Sequence, residues 1–218
     1  MSTEAPPAAE APPAPYPVHL DARLDDPLSR WLWLVKWFLA IPHYILLVFL
    51  WIAAFFASVF AFFAILFTGR YPQTLFYFNL GVLRWTWRVQ YYSFTAVGTD
   101  RYPPFSLDPE PDYPATLDIE YPAELSHWKP LLKWLFAFPH WFAVAAFAGW
   151  STSYGNMWFH IPGAISALTF VSLLILLVKE RYPQNLHTLI IGMSRWCLRV
   201  GVYVAFMTDE YPPFRLED

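Results

Sequence analysis

The stretch HYILLVFLWIAAFFASVFAFFAILFT, residues 43–68, contains 26 residues and no Asp, Glu, Lys or Arg. As an α-helix it would be about 39 Å long at 1.5 Å per residue, enough to cross a bilayer with some tilt. The uncharged run around it extends from Lys36 to Arg70, with 33 residues between the two cations. This length and composition predict a transmembrane helix.

The rest of the chain is also apolar. Hydrophobic residues make up 57% of the 218 residues, and charged residues only 14%. A second uncharged run of 45 residues separates Lys133 from Lys179, and within it residues 157–178 predict a second span. Aromatic residues reach 21%, with many Trp and Tyr near the ends of the apolar runs, as is typical at the headgroup level. These features predict an integral membrane protein.

Charge, cysteine content and the N-terminus exclude some classes. The net charge of −3 argues against a nucleic-acid partner, because binding phosphate backbones requires a basic face. Cys197 is the only cysteine, which excludes an intrachain disulfide and a thiolate metal cluster; we interpret it as a small buried apolar residue. Residues 1–15 form an Ala/Pro-rich tail without a signal-peptide pattern, so we expect this tail to be disordered and cytoplasmic.

The chain contains an internal repeat. Residues 16–44 align without a gap on residues 113–141, with 13 of 29 positions identical. After an insertion of 14 residues, residues 70–92 align on 181–203 with 11 of 23 identical. The two units, 16–110 and 111–218, close with the phrases TDRYPPF and TDEYPPF. The sequence therefore predicts a tandem duplication of one membrane unit.

The shared motifs are the ordered set YP…LD, KW…PH, RYPQ, G..xRW..RV and TD.YPPF, present twice. This set resembles the bacterial membrane-protein family known as domain of unknown function 4389. The resemblance covers nearly everything after the N-terminal tail. It implies a bacterial membrane protein, and it supplies no activity and no catalytic residue.

Two further kinds of segment complete each unit. Segments 27–42 and 124–139 are Trp-rich with interspersed basic residues, which predicts amphipathic helices at the membrane interface. Helices over 73–97 and 184–206, the first opened by Pro72, carry paired arginines. If these helices cross, each arginine costs about 2.5–3.5 kcal/mol at mid-bilayer, whereas on the surface it reaches phosphates at little cost. Their length and the short turn before them favour crossing.

The predicted fold class is therefore an all-α integral membrane protein. We expect a tandem duplicated helical unit with about four transmembrane helices plus interfacial amphipathic helices. The expected location is the bacterial cytoplasmic membrane, in multi-pass form. The stretches 16–24 and 113–121 alternate between apolar and polar residues, which predicts two short extended strands that pair with each other.

Paired arginines are the main candidate site. Arg84 and Arg88 lie one helical turn apart, and Arg195 and Arg199 repeat them. Two such cations repel each other unless an anion lies between them, and the guanidinium fork binds phosphate or carboxylate. Three kinds of anion fit: a loop acid such as Asp100 or Asp209 that joins helices, an anionic lipid headgroup, or a transported or transformed anion. We predict either an anion or lipid site or a helix-pairing site.

Secondary candidates occupy equivalent positions in the two units. His43 and His140 each follow a proline, where an imidazole can satisfy freed carbonyls or, less simply, share a proton path or a metal. Gly81 and Gly192 lie one turn from the arginines, where a helix or a lipid can approach the backbone. No pattern of metal ligands or cofactor motif is present, so we expect neither a metal nor a cofactor.

The absence of a recognisable catalytic pattern favours a protein that is not an enzyme. The leading hypothesis is a membrane module that is an accessory or structural subunit of a membrane assembly, or an organiser that binds anionic phospholipid. Its expected partners are the lipid bilayer and other membrane subunits. The alternatives are a transporter of a small anion or lipid and a membrane-shaping protein.

Overall fold

The structure is a computed structural model, and it describes residues 16–154 and 157–217. The tail for which the sequence predicts disorder, residues 1–15, lies outside the described residues. Unit one consists of a strand, a short helix and two long helices, followed by an extended tail. These elements are β1 (Val18–Ala22), α1 (Trp33–Leu39), α2 (Ile41–Thr68) and α3 (Gln73–Ser93).

Unit two repeats this order around an inserted hairpin. Its elements are β2 (Ala115–Ile119), α4 (Lys129–Phe136), α5 (Phe138–Ala148), β3 (Gly149–Tyr154), β4 (Met157–Pro162), α6 (Ala164–Lys179) and α7 (Gln184–Val204). Strands β3 and β4 pair antiparallel, from Gly149 opposite Pro162 to Tyr154 opposite Met157. The hairpin separates α5 from α6, so the apolar segment that is one helix in unit one is two helices in unit two.

The predicted all-α fold with about four transmembrane helices is wrong. The strands form two two-stranded sheets, and within residues 16–154 and 157–217 only α2 is long and apolar enough to span a membrane. Treating α4 and α5, which are bent by 54°, as one broken span raises that number to two. The prediction of a second span over residues 157–178 was wrong, because its first residues form β4 and the helix that follows, α6, has only 16 residues. A multi-pass arrangement is therefore not supported.

The arginine helices are not candidate spans. Both α3 and α7 are covered by other elements along much of their length, and Arg88 and Arg199 are almost fully buried. Their length and the short turn before them favoured crossing of the membrane. In the structure these two features instead belong to an antiparallel helix pair packed inside the protein. The predicted interfacial helices are also shorter, because Pro42 and Pro139 lie in the first turns of α2 and α5 rather than ending a helix.

The sheet formed by β1 and β2 confirms the predicted pairing of the two short stretches. Leu20 lies opposite Leu117, and these two residues are equivalent in the repeat, so the strand pair is centred on the axis that relates the units. Alternate side chains, including Val18 and Ile119, are buried against the helices, as the pleat of a strand requires. The sheet thereby joins the two units and covers one side of α3 and α7.

Helix α2 packs antiparallel to α3 along most of its length. Its buried stripe repeats at helical spacing and consists mainly of aliphatic residues, three of them alanines: Leu47, Ala54, Ala57, Ala61 and Ile65. Trp51 Nε1 donates a hydrogen bond to Thr86 Oγ1 at 3.1 Å. Gly69, with φ of 67°, closes α2 in the left-handed conformation that glycine adopts without strain. The remaining circumference of α2 is apolar and exposed.

Candidate functional site: two motif clusters, an outer face and a groove

Residues that are identical in the two units meet in two equivalent clusters. Lys36 on α1 donates from Nζ to the carbonyl of Thr99 at 2.7 Å and forms an ion pair with Asp100 Oδ1 at 2.7 Å. Lys133 on α4 repeats this ion pair with Asp209 Oδ1 at 2.9 Å, and its carbonyl contact is also 2.7 Å long. Each short amphipathic helix is thus attached to the tail that closes its own unit.

Both lysines are buried, and the exposed fraction is 1% for Lys36 and 0% for Lys133. A buried ammonium group is costly unless it is paired and hydrogen-bonded. Burial lowers the pKa of Lys36, and the ion pair with Asp100 partly offsets that effect. Burial acts to raise the pKa of Asp209, but the Ser126 N–H and Lys133 outweigh it and hold this pKa below its usual range. Asp209 is therefore a carboxylate at neutral pH.

The two predicted histidines attach the same tails to the helices. His43 is fully buried, its Nδ1 accepts a hydrogen bond from Trp85 Nε1 at 3.0 Å, and its ring stacks on Phe105 at 3.9 Å. The equivalent residues of unit two, with the same hydrogen bond at 3.0 Å, are His140, Trp196 and Phe214. Because Nδ1 is the acceptor, each neutral ring carries its proton on Nε2. These contacts place the histidines in packing positions rather than at a common site.

Arg88 and Arg199 bind the backbone of the tails. Arg88 donates from Nη1 to the carbonyl of Asp108 at 3.1 Å and from Nη2 to the carbonyl of Ser106. Arg199 donates to the two equivalent tail carbonyls at 3.3 and 3.0 Å. A guanidinium group has several donors, so it can bind two carbonyls of alternate residues in an extended segment that is not part of a sheet. The second arginine of each pair therefore fixes the tail of its own unit.

The two predicted glycines, Gly81 and Gly192, allow the tail of each unit to approach its arginine helix closely. A Cβ at Gly81 would lie 2.9 Å from the carbonyl oxygen of Leu107, and one at Gly192 would lie 3.1 Å from that of Leu216. Both distances are shorter than ordinary carbon–oxygen contacts. The glycines are therefore places where the tail backbone crosses an arginine helix at close range.

Arg84 and Arg195 reach the strand of the opposite unit, and Arg195 also donates from Nη1 to the carbonyl of Leu216 in its own tail at 3.2 Å. Arg84 Nε donates to the carbonyl of Leu117 at 2.9 Å, and its Nη2 pairs with Asp118 at 2.5 Å. Arg195 Nε donates to the carbonyl of Leu20 at 3.0 Å, and its Nη2 lies 3.5 Å from Asp21. The exchange is reciprocal, so these two arginines hold the units together through the sheet.

The structure does not bring the four arginines into one anion site. Their contacts given above are with carbonyl oxygens and two exposed carboxylates, and binding of an external anion stays a prediction. Asp100 and Asp209, which the sequence offered as arginine partners, pair with lysines. The lysines and the partner tryptophans Trp85 and Trp196 were missed as site residues. Their identity in both units was the available signal, since every one of them lies in a repeated motif.

Metal and thiol chemistry find no support in the described part of the chain. No group of three or more His, Cys, Asp or Glu lies there in positions that could hold a metal ion. Burial raises the pKa of Cys197 to about 11, so its thiol is protonated at neutral pH. A protonated thiol is a poor nucleophile.

Large apolar side chains are exposed along α1, α2, α4 and α5, and we call the surface that they form the outer face. It includes Trp37, Phe38, Phe49, Phe55, Phe56, Phe60, Phe63, Leu131, Leu135 and Phe142, all exposed. Phe56 alone leaves 65% of its surface uncovered. Contiguous apolar patches of more than a few hundred Å² are rare on soluble proteins and mark interaction surfaces. The outer face is therefore a candidate interaction surface.

Between the two units lies a groove of about 1050 Å³, which we call the inter-unit groove. One wall is built by α2 and α3 and includes Phe55, Asn79 and Gln90, and the other is built by α6 and α7 and includes Cys197 and Gly201. Phe55 belongs both to the groove and to the outer face. The groove thus opens beside that face.

These features define a class: a duplicated protein of paired helices, with one helix of membrane-spanning length and an exposed apolar face. The sequence profile of the family described as a domain of unknown function, DUF4389, matches residues 30–106 and 162–215, one segment in each unit. The match covers more than half of the chain, and the chain belongs to this family, as the motifs predicted. No curated protein and no solved structure matches it.

Proposed function

We propose that this protein is a non-enzymatic membrane module that seats its outer face in one leaflet of a bilayer and engages anionic lipid. The observation that carries the proposal is the outer face itself. An uncharged surface of this kind has no favourable contact with water, and burial of each Phe contributes about 1.5–3 kcal/mol. Lys36 is buried and residues 37–68 contain no charged side chain, so this part of the face carries no charge.

The sheet argues for seating α2 in the plane of the membrane rather than upright. Thr86 contacts Trp51 near the middle of α2. Arg84 precedes Thr86 by two residues in α3, about 3 Å along the helix axis. It pairs with Asp118, whose side chain is 67% exposed. An upright α2 would therefore place this carboxylate near the bilayer centre, at a cost of about 2.5–3.5 kcal/mol on insertion scales. In-plane seating leaves the sheet in water.

Exposed cations near the seated face support a preference for anionic lipid. Arg70 follows α2, and Arg181 follows α6 at the equivalent position, and both are exposed. A basic residue close to an anionic membrane surface contributes about 1 kcal/mol. Their exposure supports assigning the headgroup contacts to these two arginines rather than to the buried ones.

Vesicle flotation tests the proposal. The purified protein should float with phosphatidylglycerol-containing vesicles, and Phe56→Gln with Phe60→Gln should lower the partition coefficient by about tenfold or more, because two Phe leave the membrane. Thr116→Gln, an exposed change on the sheet, is the matched control and should float normally. Arg70→Gln with Arg181→Gln should reduce only the preference for anionic over zwitterionic vesicles, by roughly tenfold.

One combination of flotation and copurification results would contradict lipid engagement. A protein that fails to float with either vesicle type but copurifies with a stoichiometric membrane protein would use its outer face as a subunit interface. Native mass spectrometry of the protein extracted from its own membrane distinguishes the two cases.

A further inference from the structure

The inter-unit groove has the size and shape of a ligand site. Its volume of about 1050 Å³ is at the upper end of the range of roughly 300–1,000 Å³ that small-molecule pockets occupy. The repeat places equivalent positions of α3 and α7 on its two walls, such as Thr86 opposite Cys197 and Gln90 opposite Gly201. The groove is thus a product of the duplication, and a single unit would provide only one wall.

The groove walls exclude a charged occupant. Among the described residues that line it there is no Asp, Glu, Lys, Arg or His, and the polar groups are hydroxyl, amide, thiol and indole groups. An ionised headgroup placed there would lose its hydration without gaining a counter-charge. The walls are otherwise Phe, Trp, Leu, Val and Ile, which suit a hydrocarbon chain.

One wall carries a buried amide with an unused hydrogen-bonding end. Asn79 donates from Nδ2 to Tyr71 Oη at 2.8 Å and to Ser58 Oγ at 3.1 Å, while its Oδ1 is buried and has no partner among the described residues. Turning the amide over would leave the Nδ2 end without a partner instead. A hydroxyl group donates and accepts, so it satisfies Asn79 in either orientation. The repeat places Ile190 at the equivalent position of unit two.

We infer that the inter-unit groove binds one uncharged long-chain alcohol, with its hydrocarbon chain along the apolar walls and its hydroxyl group at Asn79 and Ser58. The inference rests on the proposed membrane seat, because Phe55, Val59 and Phe63 line the groove and are exposed on the outer face, where a lipid would enter.

Quenching of tryptophan fluorescence tests the inference, since Trp51, Trp87 and Trp134 line the groove. The probes are a dibrominated C18 alcohol, the matching ionised fatty acid and the matching alkane, each added to the full chain in detergent. We expect saturable quenching by the alcohol, with an apparent affinity about three- to tenfold higher than that of the alkane, as one neutral hydrogen bond gives. The fatty acid should bind more weakly than the alcohol.

Two variants localise the site. Gly201 lines the groove, and a Cβ added there would meet no atom of the described residues within 4 Å, so the position accepts a side chain. Gly201→Phe is the variant designed to fill the groove, and Gly201→Ala is the matched control. Gly201→Phe should abolish saturable quenching while the alanine variant retains it, and Asn79→Leu should remove the preference for alcohol over alkane. Quenching that does not saturate, or that persists in Gly201→Phe, overturns the inference. Flotation of Gly201→Phe should stay normal, so failure of the groove is distinguishable from failure of the membrane seat.

Discussion

Unit one contains one uninterrupted apolar helix of 28 residues, α2, whereas unit two divides the corresponding chain between α5 and α6 and inserts the β3–β4 hairpin. The motif clusters are nevertheless the same. The Lys–Asp ion pairs measure 2.7 and 2.9 Å, and both Trp–His hydrogen bonds measure 3.0 Å. The comparison shows that the attachment of the tail is the common element of a unit, and that the length of the apolar helix is variable.

The largest expected effect is the loss of stability when Lys36 is replaced, which should exceed the loss when Lys133 is replaced. Lys36→Met should lower the free energy of unfolding by about 3–5 kcal/mol, because it leaves Asp100 without its ion-pair partner. Lys133→Met should cost less, since Lys129 Nζ lies 3.7 Å from Asp209 and its equivalent in unit one is Leu32. Thermal unfolding in detergent, followed by circular dichroism, measures both.

Combining Lys36→Met with Asp100→Asn is the control for this pair. The double variant should recover part of the loss, because no uncompensated carboxylate remains. Equal losses for the two single lysine variants would contradict the stabilising role assigned to Lys129.

The glycines should show the next largest difference. Gly81→Ala forces Cβ to within 2.9 Å of the Leu107 carbonyl and should cost about 1–3 kcal/mol, while Gly192→Ala, at 3.1 Å from Leu216, should cost less. Gly201→Ala meets nothing and should stabilise the helix by about 0.5–1 kcal/mol. Stabilisation by all three alanines would mean that the tails do not cross the helices closely.

Removing the indole donors should have similar effects in both units. Trp85→Phe and Trp196→Phe each leave a buried histidine Nδ1 without its donor, at a cost of about 1–2 kcal/mol. The same thermal unfolding assay applies. A cost in only one unit would break the equivalence of the two clusters at this position.

The smallest effects should come from the exposed acids of the sheet. Asp118 is 67% exposed and Asp21 is 79% exposed, so each ion pair with its arginine contributes less than about 1 kcal/mol. Asp118→Asn and Asp21→Asn should therefore be almost neutral, whereas Arg84→Met also removes the bond to the Leu117 carbonyl and should cost more. Acid variants as costly as Arg84→Met would show that the carboxylates, and not the carbonyls, hold the arginines.

The sequence was informative where a signal was local or repeated. The charge-free run predicted α2, and the alternating stretches around Leu20 and Leu117 predicted a paired strand from each unit. It was misleading at residues 157–178, because an apolar run does not distinguish a strand followed by a helix from a span. Arg88 and Arg199 were treated as candidates for an external anion because their partners are backbone carbonyls, which leave no trace in side-chain spacing. Lys36 was overlooked because its acid lies 64 residues away at Asp100.

Labelling of single cysteines at the two ends of α2 tests the membrane seat most directly. In a Cys197→Ala background, Arg70→Cys marks the end of α2, and Arg101→Cys marks its start, because the hydroxyl of the neighbouring Tyr102 reaches the Leu39 carbonyl at 3.1 Å. With protein bound to the outside of sealed vesicles, in-plane seating predicts that a membrane-impermeant maleimide labels both positions before lysis. If one position is labelled only after the vesicles are lysed, α2 crosses the bilayer and the in-plane seat is wrong.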